Sequence, residues 1–272
     1  MAVEEGRAGY EEASLALIVP GTGEPVVSPV DWVRRSGFRP LCDRCVLVFW
    51  DRLLGAVRDS LERVLVVEER PRVPATLGGV VGELGGARVC AYRVWSGAPA
   101  AAMALEFLVA AGIRRFIVLG GCGAINPSVR VFDIVVPSWG IREEGTSYHY
   151  LPPGAVPKPS EEALRLLVAE LRDAARELGV GLHVGGVWSI DAVFRETRDK
   201  VQKYSSMGAL CVDMESTGLM AVAAYRGVEL GLAHIVTDEL YTGAWRVYSD
   251  RERMARVEKR VALAAMSALA RM

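Results

Sequence analysis

Short apolar runs rich in β-branched residues recur along this chain, and polar or glycine-bearing stretches separate them. Runs of this length are typical of strands that are buried on both faces of a sheet. The predicted strands are Leu15–Val19, Val46–Trp50, Val64–Val67, Val89–Val94, Phe116–Leu119, Ile134–Val136, Val184–Trp188, Ala209–Val212 and Leu232–Val236.

Helical patterns fall between several of these strands. The predicted helices are Ala98–Ala111, Ser160–Leu178, Glu196–Ser205, Ser216–Arg226 and Asp250–Met272. Ser160 is a favourable N-cap and Gly179 a favourable helix terminator. Because strands and helices alternate from Val89 onward, the pattern predicts an α/β fold whose largely parallel sheet is covered on both faces. The longest predicted irregular stretch is Gly140–Pro159, and loops of that length are commonly functional or pack on a neighbour.

Length and composition narrow the class of protein. The chain has 272 residues, of which 51% are hydrophobic. We expect a single domain spanning residues 1–272, since no linker or internal repeat interrupts the chain. The net charge of −1 gives no electrostatic reason to expect binding to nucleic acid or to an anionic membrane. No apolar stretch reaches the roughly 18 residues that cross a bilayer, and the acidic N-terminus is unlike a signal peptide, so a cytoplasmic protein is expected.

Two composition biases suggest a thermophilic source. Asn126 and Gln202 are the only side-chain amides, and lysine occurs only at positions 158, 200, 203 and 259. Loss of thermolabile amides and replacement of lysine by arginine are both associated with thermophiles, although an arginine excess also follows from genome composition.

The cysteines do not predict a metal site. Cys42 and Cys45 form a close pair, but zinc needs further ligands at matching spacing, which the chain lacks. A redox pair and, in a hyperthermophile, a structural disulfide both remain open. Cys90, Cys122 and Cys211 lie in apolar strands or turns, and we expect them to be small core residues.

The segment around Glu215 carries the most specific chemical signal. The apolar run Ala209–Val212 ends in two carboxylates, Asp213 and Glu215, and a helix then begins at Ser216. A carboxylate at a strand-to-helix junction is directed toward a cleft, and its two oxygens can accept hydrogen bonds from two vicinal hydroxyls at once. Ribose offers such a pair. The alternative is that Asp213 is a surface residue and Glu215 merely favours the positive end of the helix.

Further motifs favour the ribose interpretation. Three motifs lie upstream of the Glu215 segment: Arg115–Ile125, which is a strand leading into a glycine turn, then Asp133–Pro137, and then Glu144–Pro153. Downstream of it, the strand Gly231–Glu239 ends in acidic residues. In this order the motifs resemble those of the nucleoside phosphorylase family, in the branch that holds uridine phosphorylases and hexameric purine nucleoside phosphorylases. The resemblance extends from about Ser14 to the C-terminus. It implies a three-layer α/β/α sandwich around a twisted, mostly parallel mixed sheet, with ligands at the carboxyl ends of the strands.

The resemblance also implies roles for individual residues. Glu215 would accept the 2′ and 3′ hydroxyls of ribose, Met214 would pack against the sugar, and Asp213 would supply a second acid. Asp238 follows an apolar strand, and its carboxyl at the edge of the sheet is the candidate acid. The matching aspartate of the purine branch protonates the base.

An arginine further along the chain would assist that acid. Arg251 has about the right separation, and Arg246 is the other choice. The base would stack on Phe194, since a flat ring favours an aromatic face, although Val193 replaces the first aromatic residue of the family pair. His149 matches the family pattern, but a lone loop histidine is more often structural, and we assign it no catalytic role.

The implied phosphate site is incomplete. Where the family carries Gly-Asp-Pro-x-Arg, this chain reads Gly21-Thr-Gly-Glu-Pro25, with proline at the arginine position. Val118 and Gly121 stand where the family has an arginine and a serine or threonine. The remaining contacts would come from Gly21 and from backbone amides at Gly120 and Gly121, which can form an anion-binding nest.

These features predict an enzyme that cleaves N-glycosidic bonds, a phosphorylase of purine nucleosides or uridine with inorganic phosphate as co-substrate and no other cofactor or metal. There are two alternatives. One is a nucleosidase that uses water in place of phosphate, and the other is a catalytically inactive nucleoside-binding or structural subunit. Loss of the phosphate contacts predicts weak phosphate dependence, unless Arg93 or a neighbouring subunit's arginine, such as Arg34, Arg35 or Arg52, replaces them. The family habit predicts a homo-oligomer built on dimers, up to a hexamer.

Overall fold

A ten-stranded mixed sheet forms the centre of the computed structural model, which describes residues 20–272. Elements are numbered within these residues. The strands are β1 Arg44–Val48, β2 Arg63–Glu68, β3 Thr76–Leu84, β4 Ala87–Val94, β5 Arg115–Ala124, β6 Ile134–Glu143, β7 Leu182–Ile190, β8 Ala209–Asp213, β9 Glu229–Glu239 and β10 Arg246–Val247. The helices are α1 Pro29–Ser36, α2 Asp51–Asp59, α3 Ala98–Ala110, α4 Glu161–Leu178, α5 Arg198–Ser206, α6 Ser216–Arg226 and α7 Arg251–Arg271, with 3-10 turns at Thr146–His149 and Val193–Arg195.

The sheet contains two groups of parallel strands. Strands β1, β4, β5 and β9 run in one direction, and β6, β7 and β8 run together in the other. The groups meet through the antiparallel pairs β6–β9 and β5–β8. Because β5 also pairs with β9, strands β5, β9, β6, β7 and β8 close into a ring.

Helices cover both faces of this sheet. Successive residues of one strand enter different cores, as expected for a strand buried on both sides: Leu47 packs with helices α1, α3 and α6, and Val48 packs with α2, α4 and α7. The structure thus confirms the predicted α/β sandwich around a mostly parallel mixed sheet. The closure of five strands into a ring was not part of the prediction.

Several predicted boundaries differ from the structure. The predicted strand Leu15–Val19 lies outside the described residues. The strand expected to reach Trp50 ends at Val48, and α2 follows at once. The stretch expected to be irregular from Gly140 is strand as far as Glu143, because these residues pair with β7. Within residues 20–272, no helix is long and apolar enough to cross a membrane.

The cysteine pairing also differs from expectation. Cys42 forms a disulfide with Cys90, and their Cα atoms are 5.8 Å apart; Cys45 is free and buried. Cys42 and Cys45 are close in sequence but flank the start of the extended β1, whereas Cys90 on the adjacent β4 lies beside Cys45 in register. The disulfide therefore joins the segment before β1 to β4. Cys90 is a buried core residue, as predicted, but its pairing with Cys42 was not part of the prediction.

Candidate active site

A cavity of about 280 Å³ lies where the carboxyl ends of β1, β5, β8 and β9 converge. We call it the Glu215 cavity. Its lining residues are Phe49, Trp50, Ser96, Gly121, Cys122, Gly123, Val193, Glu196, Val212, Asp213, Met214, Glu215, Thr237 and Asp238. The structure therefore brings together five of the residues singled out in the sequence, namely Gly121, Asp213, Met214, Glu215 and Asp238.

Glu215 lies between β8 and α6 and is the residue that precedes the helix. It is only 7% exposed, and its Oε1 accepts a hydrogen bond of 2.6 Å from the backbone N–H of Gly97. Burial, followed by the nearby charge of Asp213, raises the pKa of Glu215 to about 8. A carboxylate has roughly four lone-pair sites, so one backbone donor leaves it capacity to accept hydroxyl groups of a ligand.

Asp213 makes its hydrogen bonds within the protein. Its Oδ1 accepts from Ser189 Oγ at 2.5 Å, and its Oδ2 accepts from Ser216 N and Oγ at 2.9 and 2.5 Å. Ser216 Oγ also lies 2.7 Å from His234 Nε2. Since burial lowers the pKa of His234, we infer a neutral imidazole whose Nε2–H donates to Ser216. This network fixes the turn that presents Glu215.

Asp238 lines the same cavity. Its Oδ1 accepts from Thr237 Oγ1 at 2.7 Å, and its Oδ2 accepts from the indole N–H of Trp245 at 2.9 Å. A Cβ at Gly123 would lie 3.2 Å from Asp238 Oδ2 and would overlap Leu240. Glycine is thus needed at position 123 so that the bulged β5 can approach β9 beside this carboxylate.

Glu196 is a cavity residue that the sequence reading missed. It follows the 3-10 turn after β7, and burial, followed by the charges of Asp238 and Asp213, raises the pKa of Glu196 to about 7. The sequence signal was its position two residues after Phe194, in the segment expected to contact the base. Phe49 and Trp50 were missed as well, because both were assigned to the predicted strand Val46–Trp50.

Other predicted site residues lie away from the Glu215 cavity. Phe194 is 97% exposed, and its neighbour Val193 lines the cavity instead. Gly21 and His149 line a separate cavity of about 760 Å³. Arg251 is the exposed first residue of α7. The roles predicted for these residues gain no support from their positions.

Gly120 and Arg246 are also set apart from the cavity. Gly120 is buried in β5, where an added Cβ would lie 3.1 Å from both Phe49 and His234. Arg246 lies on the short edge strand β10, opposite Glu239. Neither residue lines the Glu215 cavity.

The Glu215 cavity is strongly acidic. Four carboxyl-bearing residues line it, Glu196, Asp213, Glu215 and Asp238, and the lining described above includes no arginine or lysine. Two arginines near its rim are committed to other carboxylates. Arg52 is hydrogen-bonded to Glu258 at 2.8 to 3.2 Å, and Arg93 Nη1 is 2.6 Å from Asp51 Oδ1.

From residue 20 to 272, no group of three or more His, Cys, Asp or Glu side chains is arranged to hold a metal ion.

The fold and the cavity together define an α/β protein with a carboxylate-rich ligand site at the carboxyl ends of its strands. The family model of the phosphorylase superfamily matches residues 43–270. The chain belongs to this superfamily. Because the match begins at residue 43, it does not support the resemblance expected from Ser14, and Gly21 lies outside it.

Two characterised relatives match parts of the chain. A guanosine phosphorylase of Halorubrum lacusprofundi is 33% identical over 147 residues, which are 54% of this chain and 59% of that protein. A DeoD-type purine nucleoside phosphorylase of Bacillus cytotoxicus is 28% identical over 176 residues, which are 64% of this chain and 73% of that protein. The match thus spans less than two thirds of the length of the first relative.

Solved structures extend the likeness of the fold. A uridine phosphorylase from Vibrio fischeri superposes with a TM-score of 0.75 over 87% of this chain and 94% of that chain, at 20% sequence identity. Identity this low supports a shared fold and leaves substrate choice open.

Proposed function

We propose that this protein cleaves the N-glycosidic bond of ribonucleosides and transfers the ribosyl group to phosphate. The observation that carries the proposal is the nearly buried Glu215 carboxyl, which lines a cavity of the superfamily fold together with Asp238. Membership of the superfamily and the phosphorylase names of the relatives support the same reaction class.

On the sugar side, the ionised Glu215 accepts hydrogen bonds from the 2′ and 3′ hydroxyls, and Met214 packs against the ring. These hydroxyl donors favour the ionised form and so offset the raised pKa of Glu215 when a nucleoside binds. Hydrogen bonds to a charged group contribute about 1.5–3 kcal/mol each. Positive charge develops on the ribose as the glycosidic bond breaks, and an acidic cavity favours that charge over the neutral ground state.

On the base side, Asp238 and Glu196 are the candidate proton donors. The leaving base needs a proton, and an efficient general acid has a pKa near the working pH. Because burial and neighbouring carboxylates raise the pKa of Glu196 to about 7, part of the population carries a proton at neutral pH. The proton can pass to the base nitrogen from Glu196 directly or by way of Asp238.

Hydrolysis is the second candidate reaction, and one observation favours it. The lining of the Glu215 cavity supplies carboxylates but no arginine or lysine, and a phosphate dianion binds poorly without such partners. Water is neutral and needs none of them.

A nucleoside panel tests the proposal. Guanosine, inosine, adenosine and uridine are incubated with the protein in the presence and absence of phosphate, and free base, ribose and ribose 1-phosphate are separated by chromatography. Base together with ribose 1-phosphate is the expected result, base with ribose would establish the second candidate, and no base from any nucleoside would refute both.

Assembly and location belong to the same proposal. We propose a cytoplasmic homo-oligomer built on dimers. In support, Trp32, Met103 and Tyr225 are each more than 40% exposed and line one surface cavity of about 760 Å³. Exposed apolar groups gathered in this way are typical of protein interfaces.

A further inference from the structure

Trp50 lies between two cavities and separates them. It lines the Glu215 cavity, and it also lines a neighbouring cavity of about 400 Å³. We call the neighbour the Arg52 cavity, and its lining residues are Trp50, Asp51, Arg52, Thr237, Tyr248, Met254 and Glu258. Trp50 and Thr237 are the residues common to both linings.

The indole of Trp50 is held from two sides. Its N–H donates to Glu258 Oε1 at 2.9 Å, and Glu258 is 1% exposed. Arg52 compensates the buried charge through Nε to Oε2 at 2.9 Å and Nη2 to Oε1 at 2.8 Å. The six-membered ring packs on β5, since a Cβ added at Gly121 would lie 3.1 Å from Cη2 and Cζ3 of Trp50.

This placement matters for an anion. Four of the fourteen residues that line the Glu215 cavity carry carboxyl groups, and Phe49, Trp50, Ser96 and Gly121 are among those that do not. Like charges repel, so phosphate is expected to settle away from the carboxyl groups, on a part of the wall that includes Trp50. There phosphate meets the electron-rich face of the indole, because the indole N–H points to Glu258. The Arg52 guanidinium lies on the other side of Trp50.

We propose that Trp50 restricts the entry of phosphate into the Glu215 cavity, and that Glu258 positions Trp50 for this role. The inference rests on the proposed function. It assigns to Trp50 the choice between phosphate and water as the co-substrate. The cavity volume of about 280 Å³ lies just below the roughly 300–1,000 Å³ common for ligand pockets. Removing the indole joins the two cavities and brings phosphate near the Tyr248 hydroxyl and Nη1 of Arg52. Glu258 and Tyr248 engage only Nε and Nη2 of that guanidinium. Water enters the Glu215 cavity with or without the Trp50 indole, so water competes with phosphate in the native protein.

The test compares Trp50→Ala with Trp95→Ala. Trp95 is 56% exposed and lines neither cavity, so its variant controls for loss of an indole. The KM for phosphate is measured with the best nucleoside of the panel, and the Kd for phosphate is measured by calorimetry without nucleoside. Trp50→Ala should lower both constants at least about tenfold, the effect of one charge-assisted hydrogen bond, whereas Trp95→Ala should leave both unchanged.

The role of Glu258 has its own readout. Glu258→Gln keeps an acceptor for the indole N–H and should leave the phosphate KM near that of the native protein. Glu258→Ala releases the indole and should shift the phosphate KM toward that of Trp50→Ala without a matching change in kcat. Equal phosphate constants for these two variants would show that Glu258 does not position Trp50.

Gly121→Ser provides a second, independent check. Alone, the added Cβ would crowd Trp50 and Thr237, each 3.1 Å away. In the Trp50→Ala background the contact with the indole is gone and a hydroxyl donor is added, so the double variant should bind phosphate more tightly than Trp50→Ala. A folded Trp50→Ala protein with unchanged phosphate KM and Kd overturns the inference. If no nucleoside is cleaved by any variant, the proposed function fails, while the calorimetric comparison still decides the role of Trp50.

Discussion

The carboxyl of Glu215 is nearly sealed from solvent, and one backbone N–H satisfies only part of its hydrogen-bonding capacity. Such a group gains much from a ligand that brings hydroxyl donors, because leaving a buried acceptor unsatisfied is costly. The neighbouring Asp213 cannot replace it, since its own oxygens are bonded to Ser189 and Ser216. The sugar specificity of the site should therefore depend on Glu215.

Glu215→Gln should reduce kcat/KM for guanosine by about 10- to 100-fold, the loss expected for one charge-assisted hydrogen bond. The matched substrate 2′,3′-dideoxyguanosine lacks the hydroxyls, so the variant should change its cleavage little. Steady-state kinetics with both substrates make the comparison. Equal losses for the two substrates would show that Glu215 does not bind the ribose hydroxyls.

The raised pKa of Glu215 also predicts how stability depends on pH. In the folded protein the pKa is about 8, compared with an ordinary value of 4.5, so between these values the native state holds a proton that the unfolded chain has released. Stability must then fall as pH rises through this window. Glu196, with a pKa of about 7, acts in the same direction.

Urea unfolding at several pH values between about 5 and 8 measures this effect. The free energy of unfolding should decline with pH in the native protein, and the decline should be smaller in Glu215→Gln. Glu161→Gln, an exposed change on α4, serves as the control and should follow the native curve. A Glu215→Gln protein with the native slope would contradict the assignment.

At the scale of elements, periodicity located most of the described strands and the helices that alternate with them. It missed β3, whose glycines lower strand propensity. Those glycines allow close packing: a Cβ at Gly79 would lie 2.6 Å from the Tyr92 ring, and one at Gly82 would lie 2.5 Å from Arg63 O. The feature that argued against a strand is therefore the one that lets β3 fit between β2 and β4.

The disulfide between Cys42 and Cys90 ties the segment before β1 to β4 across a sequence separation of 48 residues. On the chain-entropy account, a loop of that length corresponds to about 4 kcal/mol of stabilisation. Reductant should lower the melting temperature of the native protein, and the double variant Cys42→Ser/Cys90→Ser should melt at the same temperature with and without reductant. A native protein whose melting temperature ignores reductant would contradict the pairing.

At the scale of the whole molecule, the sequence anticipated the carboxylates of the site better than its walls. Three carboxylates follow apolar strands and were found from that pattern, namely Asp213, Glu215 and Asp238. Trp50 and Glu196 could not be found in this way, because the strand order that brings the ends of β1, β7 and β9 to one cavity depends on long-range pairings. That the chain forms a single domain also stays a prediction.

Assembly gives a prediction at this scale as well. Light scattering at micromolar concentration should report a dimer or a multiple of dimers, because burying Trp32, Met103 and Tyr225 against a second copy removes apolar surface from water. The charged double variant Trp32→Glu/Met103→Glu should shift the population toward monomer. A native protein that scatters as a monomer would contradict the proposed assembly.

The most direct test of the account is the position of a bound nucleoside. A crystal of the Asp238→Asn variant, in which proton transfer is slowed, is soaked with guanosine and its structure determined. We predict ribose in the Glu215 cavity, with the 2′ and 3′ hydroxyls within hydrogen-bonding distance of the Glu215 carboxylate and the base beside Glu196. Guanosine bound elsewhere, such as in the cavity lined by Asn126 and Gln202, with the Glu215 cavity empty, would contradict the account.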